Sequence, residues 1–130
     1  MDKRQLLKQF ITIYFDLLND IKSHSDNNKD FNIFYKKNYL LKNTNLKLFI
    51  RTWYANVSIP YNNQILSGDI DHLFSNKVMD DISNKTNGDI IKYMNIIKQK
   101  YNTTNNNIID SFLLKVQQLT QISCNYFNKT

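Results

Sequence analysis

Apolar residues in this chain recur at three- and four-residue steps, and runs that alternate apolar with polar over four or more residues are nearly absent. Such steps stack side chains on one face of a helix, whereas a half-buried strand needs a step of two. Leu7, Phe10, Ile11, Tyr14, Leu17, Leu18 and Ile21 mark a long first helix over residues 3–23. Leu6, Ile13 and Phe15 widen its apolar face enough for burial on more than one side. After the polar connector 23–30, the spacing predicts a second helix over 31–41, carrying Phe34 and Tyr35. A third helix puts Leu46, Phe49, Ile50, Trp53 and Val57 on one face, with Asn and Thr residues at 43–45 to cap it. Beyond the Asn87-Gly88 turn, Ile90, Ile91, Met94, Ile97 and Tyr101 mark a further helix. Asn105–Asn107 separate that helix from a long last one, where Ile109, Phe112, Val116, Leu119 and Ser123 sit at core spacing and Leu113 and Ile122 widen the face.

The segment between the third helix and the Asn-Gly turn gathers the rarest residues of the chain. Pro60 is expected to stop the third helix, to push Ile59 into an extended conformation, and to open a short new helix as its first residue. Tyr61 and Ile65 lie one turn apart in that new helix. Gly68 suits the left-handed position that ends it, and Asp69 is placed to cap a further turn bearing Ile70, Leu73 and Phe74. Val78, Met79 and Ile82 suggest one more short helix. No repeat and no linker divides the chain, so residues 1–130 read as a single all-α domain, an irregular helical bundle of about five to seven helices.

Composition removes several classes of protein. Hydrophobic residues at 42% and aromatics at 13% argue against disorder. The lone Cys124 excludes an intramolecular disulfide and any cysteine-built zinc site. No run approaches the ~18 apolar residues of a membrane span. Lys3 and Arg4 begin the chain on a basic note, but Lys8 and Asp16 interrupt the apolar run behind them, so no secretory leader is read and the sequons at Asn56, Asn84, Asn102 and Asn128 are expected to be unused. With twenty Asn, eleven Asp and no Glu, the exposed helix positions lack one of the better helix formers, and helical stability must come from packing.

The formal charge of +6 is unevenly spread. From Phe31 to Gly68 there are Lys36, Lys37, Lys42, Lys47 and Arg51 and no acid. Lys36, Lys37, Lys47 and Arg51 are the candidate phosphate contacts for a nucleic acid, with Tyr35, Tyr39 or Tyr54 as exposed platforms for bases. The plainer alternative is a solvated lysine coat over aromatics that fill the core, and no groove-reading motif accompanies the charge. Trp53 is either a partner anchor or, by preference, the residue that packs the third helix, with Pro60 and Tyr61 folding back on it. Asp69, Asp71 and His72 form the densest ionisable cluster. Residues two apart on a helix diverge, however, and capping accounts for Asp69 without a metal. Cys124 is read as a small core residue rather than a nucleophile, because nothing links it to His24. The Gly-Asp-Ile sequences at 68–70 and 88–90 lack the strand and the further glycines of a phosphate loop. No enzymatic activity, cofactor or metal is expected.

The pattern Trp53-x-x-x-Val57-x-x-Pro60-Tyr61-x-x-x-Ile65-x-x-Gly68-Asp69-Ile70-Asp71 resembles one found in uncharacterised small helical proteins of large nucleocytoplasmic DNA viruses, and the richness in Asn, Lys and Ile fits their AT-rich genomes. That family has no established activity, so the resemblance carries over no catalytic residue. It implies a viral origin and a role in the virion or against a host protein in the cytoplasm; together with the absence of assembled chemistry, the expectation is a non-enzymatic protein that acts through protein–protein contacts. The alternative expectation is a DNA- or RNA-binding accessory protein that uses the basic stretch 31–68.

Overall fold

In a computed structural model, residues 2–25, 27–69, 72, 75, 77, 88–100 and 106–128 are described. Every regular element among them is helical, and together they form one helical bundle. The elements are α1 (Lys3–Ser23), α2 (Lys29–Lys42), α3 (Leu46–Trp53), a π-helical segment (Tyr54–Ser58), α4 (Ile59–Ser67), α5 (Gly88–Lys100) and α6 (Asn106–Asn128). The expected short helix around Val78, Met79 and Ile82, the turn with Ile70, Leu73 and Phe74, and Tyr101 lie outside the described residues.

Helices α1 and α6 form the most extensive pairing, and the run from α3 to α4 lies against α6, with α3 also meeting α1. Helix α5 packs on α1 and α6, while α2 leans on α1. The amphipathic pattern explains this arrangement. Phe10, Tyr14, Leu17, Leu18 and Ile21 of α1 meet Phe112, Val116 and Leu119 of α6 and Ile50, Trp53 and Val57 of the middle run, all buried. Asp2 starts α1 as a capping box: its side chain accepts the Gln5 amide N–H, and the Gln5 side chain accepts the Asp2 N–H in return. Asn45 precedes α3 but makes no side-chain cap, and Leu46 is 42% exposed rather than part of the inner face.

Pro60 does not stop the helix. The backbone stays right-handed helical at Ile59 (φ −59°, ψ −52°), and α3, the π segment and α4 run on without a break from Leu46 to Ser67. The reason lies in the buried face. Trp53, Val57, Tyr61 and Ile65 recur at a constant four-residue step, and all are at most 9% exposed. Each such step overshoots an α-helical turn by about 40°, or about 120° over three steps, so a regular α-helix would rotate the last of these residues away from the core. One π turn inserts an extra residue and recovers most of that drift. It also widens the helix where the proline ring would meet the carbonyl four residues back: the Ile59 N–H donates to the Tyr54 carbonyl, five residues away. Pro60 itself is exposed. The idea that it folds back on Trp53 is therefore corrected.

Helix α4 ends at Gly68, in the left-handed conformation (φ 79°, ψ 22°). The Gly68 N–H donates to the Ile65 carbonyl and the Asp69 N–H to the Gln64 carbonyl, the paired bonds of a Schellman motif. The Asp69 carboxylate then accepts the His72 backbone N–H at 3.1 Å.

Buried polar groups tie the helices in register. The Trp53 indole N–H donates to Thr120 Oγ1 at 3.2 Å, and the Tyr14 hydroxyl donates to Asn38 Oδ1 at 2.7 Å. Ser58 and Ser123, both fully buried, share a 2.6 Å hydroxyl contact. Since the Ser123 hydroxyl donates to the Thr120 carbonyl, the proton between the two serines belongs to Ser58. This order predicts an asymmetry. Ser58→Ala leaves Ser123 with its acceptor and should cost less than about 1 kcal/mol, whereas Ser123→Ala strands a buried Ser58 hydroxyl and should cost about 1–3 kcal/mol. Urea unfolding of the two variants measures the difference directly.

Candidate functional site

Helix α2 carries two faces of opposite use. Phe31 and Asn38 are buried, Tyr35 and Tyr39 are half-buried towards α1, and Phe34 is half-buried against Tyr93 of α5. On the opposite side Ile33, Lys36, Lys37 and Leu40 fall at positions i, i+3, i+4 and i+7, the spacing of a single helix face. Ile33 is 67% exposed and Leu40 is 72% exposed, the two most exposed large hydrophobic residues among those described. Lys36 and Lys37 stand between them, exposed and without a hydrogen bond or ion pair to any described residue. Sequence reasoning found the lysines and missed Ile33 and Leu40. Their signal was present as a seven-residue apolar pair opposite the Phe31–Tyr35–Asn38 face.

The four candidate phosphate contacts are divided between two helices. Lys36 and Lys37 belong to α2; Lys47 and Arg51 lie one turn apart on α3, also exposed. The aromatic platforms expected beside them are not free, and that expectation is corrected. The Tyr35 and Tyr39 rings pack at 4.8 Å between centroids, Tyr39 also meets Phe15 at 4.7 Å, and Tyr54 stacks on Phe127 at 4.4 Å. Each lies on the flank of its helix that faces a neighbour, so ring burial outweighs exposure for stacking. Trp53 is fully buried, in edge contact with Phe10 and Tyr14, and has no surface to offer a partner.

The remaining sequence candidates stay apart. Asp69 is engaged with the His72 backbone, and Asp71 lies outside the described residues. Cys124 is half-buried rather than a core residue, with its Sγ 4.0 Å from Asn62 Oδ1. His24 closes α1, its Nδ1 2.9 Å from the Asp20 carbonyl and its ring edge-on to Phe112. Nothing brings Cys124 and His24 together. Among the described residues no helix is long and apolar enough to cross a membrane.

Between α1 and α2 a phenol pair shares one amide. The Tyr35 hydroxyl donates to Asn19 Oδ1 at 2.6 Å, and the Asn19 amide donates to the Tyr39 hydroxyl at 3.1 Å. Burial, followed by the adjacent Tyr39 phenol, pushes Tyr35 up from 10.0 to about 12. The folded state thus favours the neutral phenol. Below pH 10 both states are protonated and this contribution is constant; between 10 and about 12 only the unfolded chain releases the proton, so stability falls as pH rises. Urea midpoints measured from pH 8 to 11 should decline at the alkaline end, and Tyr35→Phe should reduce the slope there.

The fold and the surface define a small helical protein with one face that is both basic and apolar. No protein-family model, curated protein or solved structure matches this chain.

Proposed function

We propose that this is a non-enzymatic protein of viral origin that acts by protein–protein contact, as a virion component or against a host protein in the cytoplasm. The observation that carries the reading is the outward face of α2. A folded chain gains nothing from two large aliphatic side chains held in water on one helix face, and such a face is the usual form of a helix that docks in a partner's groove. Lys36 and Lys37 lie inside the same face, and the stretch 31–68 holds no acid, so the complementary partner is a protein surface with an apolar strip edged by Asp or Glu. The resemblance of Trp53–Asp71 to small proteins of large DNA viruses supports the origin.

A second reading, nucleic-acid binding through Lys36, Lys37, Lys47 and Arg51, is favoured by their exposure and by the absence of an ion pair to any described residue. It is weakened by the engagement of Tyr35, Tyr39 and Tyr54 in ring packing, which leaves charge without stacking.

The two readings part in one experiment. Tagged chain is recovered from infected cells in parallel with Ile33→Ser/Leu40→Ser and with Lys36→Glu/Lys37→Glu, after nuclease treatment, and associated proteins are identified by mass spectrometry. The contact reading expects one dominant protein, lost at least tenfold in both variants, since buried anchors of an interface cost upwards of ~1 kcal/mol each. A dominant protein retained equally by the aliphatic double variant would remove it. The nucleic-acid reading expects binding to a DNA or RNA duplex that falls steeply with salt and is abolished when Lys36, Lys37, Lys47 and Arg51 are changed together to Glu.

A further inference from the structure

A groove of about 570 Å³ runs along α1 where the end of α2 and the start of α3 pass over it. Its floor is apolar, built from Leu7, Ile11 and Phe15 of α1 with Leu46 of α3. Arg4 and Lys8 stand at one end, one helical turn apart, and Lys42 and Asp16 stand at the other. The two ends differ in charge. Lys42 and Asp16 offset one another, and the Lys42 Nζ is already held 4.8 Å from the Phe15 ring centroid and 5.7 Å from that of Tyr39. Arg4 and Lys8 are exposed and lack any ion pair among the described residues, and Arg4 lies in the first turn of α1, where the helix dipole adds to its positive potential. The nearest acid in sequence, Asp2, has its carboxylate turned to the Gln5 N–H.

Two further polar side chains of the lining are engaged within the fold. The Thr12 hydroxyl donates to the Lys8 carbonyl, and the Asn19 amide is held by Tyr35 and Tyr39. Arg4 and Lys8 remain at one end, and about 12 Å of apolar floor runs from half-buried Leu7 past Ile11 to Phe15, the last two nearly buried in the core. The volume lies within the roughly 300–1,000 Å³ of small-molecule clefts.

We propose that this groove binds a single-chain anionic amphiphile, with its acidic head between Arg4 and Lys8 and its alkyl chain along Leu7, Ile11 and Phe15 beneath Leu46. The site is separate from the outward face of α2 and does not depend on the contact reading. A free fatty acid and the exposed chain of an acidic lipid share this chemistry.

Calorimetric titration of the full chain with decanoate, decanol and phosphatidylglycerol vesicles tests the proposal. Saturable one-to-one binding of decanoate is expected, with decanol at least tenfold weaker. Arg4→Gln/Lys8→Gln should weaken decanoate about tenfold, as two exposed charge contacts do. Lys36→Gln/Lys37→Gln removes the same charge from another surface and should change binding less than twofold. Leu46→Asp, an acid in the first turn of α3 that the helix tolerates, should abolish binding while circular dichroism stays unchanged. Absence of saturable decanoate binding overturns the proposal, and so does equal weakening by the two lysine and arginine pairs. Equal affinity for decanol removes the acidic head from the site. Binding to vesicles without binding to decanoate assigns the cations to a membrane surface instead. Vesicle binding that decanoate competes away supports the groove with a lipid as the source.

Discussion

A fully buried indole has few ways to satisfy its N–H, and the position of Trp53 is set by that requirement as much as by its size. Its ring meets Phe10 and Tyr14 of α1 edge-on while its N–H reaches Thr120 of α6, so one side chain registers three helices against each other. A slide of either partner would strand a buried donor and open a cavity at once. The rest of the core follows from this fixed point. With Trp53 turned inwards, the next inward positions are Val57, Tyr61 and Ile65, and the helix must keep them on the same side over three turns. The π segment is the consequence. It also turns Ser58 inwards beside Val57, which brings its hydroxyl to Ser123.

The long helices were legible because their signal is redundant: α1 and α6 each repeat the three-and-four step over many residues, and the first helix begins and ends at the residues its pattern indicates. The middle of the chain was misread for a specific reason. Pro60 is a strong local signal, and the rule that it ends a helix is sound when the flanking pattern is neutral. Here the four-residue step on both sides of the proline was the competing signal. It spans Trp53 to Ile65 and calls for one helix with an added residue. That conflict could be seen in the sequence only by measuring the drift of the buried face.

The surface was less legible than the core. Of the two readings of the tyrosines near the lysines, base platforms or core, the packing favours the second, since a tyrosine half-buried against another ring keeps its hydroxyl near water and loses little, as Tyr35 and Tyr39 do around Asn19. Ile33 and Leu40 present the opposite case. The aromatic pattern of Phe34 and Tyr35 is enough by itself to predict the helix over 31–41, so the second apolar face, Ile33 and Leu40, goes unread. A helix with two apolar faces can bury only one against a neighbour on a single side, and the larger aromatic face wins because it removes more area from water.

The same geometry divides the basic stretch between two helices and, on α2, between two faces. Along α2, Lys36 and Lys37 fall opposite the aromatic face and point away from the bundle. Lys42 lies three residues beyond Tyr39 and seven beyond Tyr35, and so returns to the inward face, where its ammonium sits over the Phe15 and Tyr39 rings. A contiguous run of positive charge in sequence is therefore divided among different helices and helix faces. Two charges accompany an exposed aliphatic pair, one closes the groove along α1, and Lys47 and Arg51 belong to the next helix. A nucleic-acid surface needs its cations to track one backbone, and no single helix face here holds more than two of these five. The cations of the stretch consequently sit in short mixed patches, each beside aliphatic or aromatic side chains rather than in one basic surface.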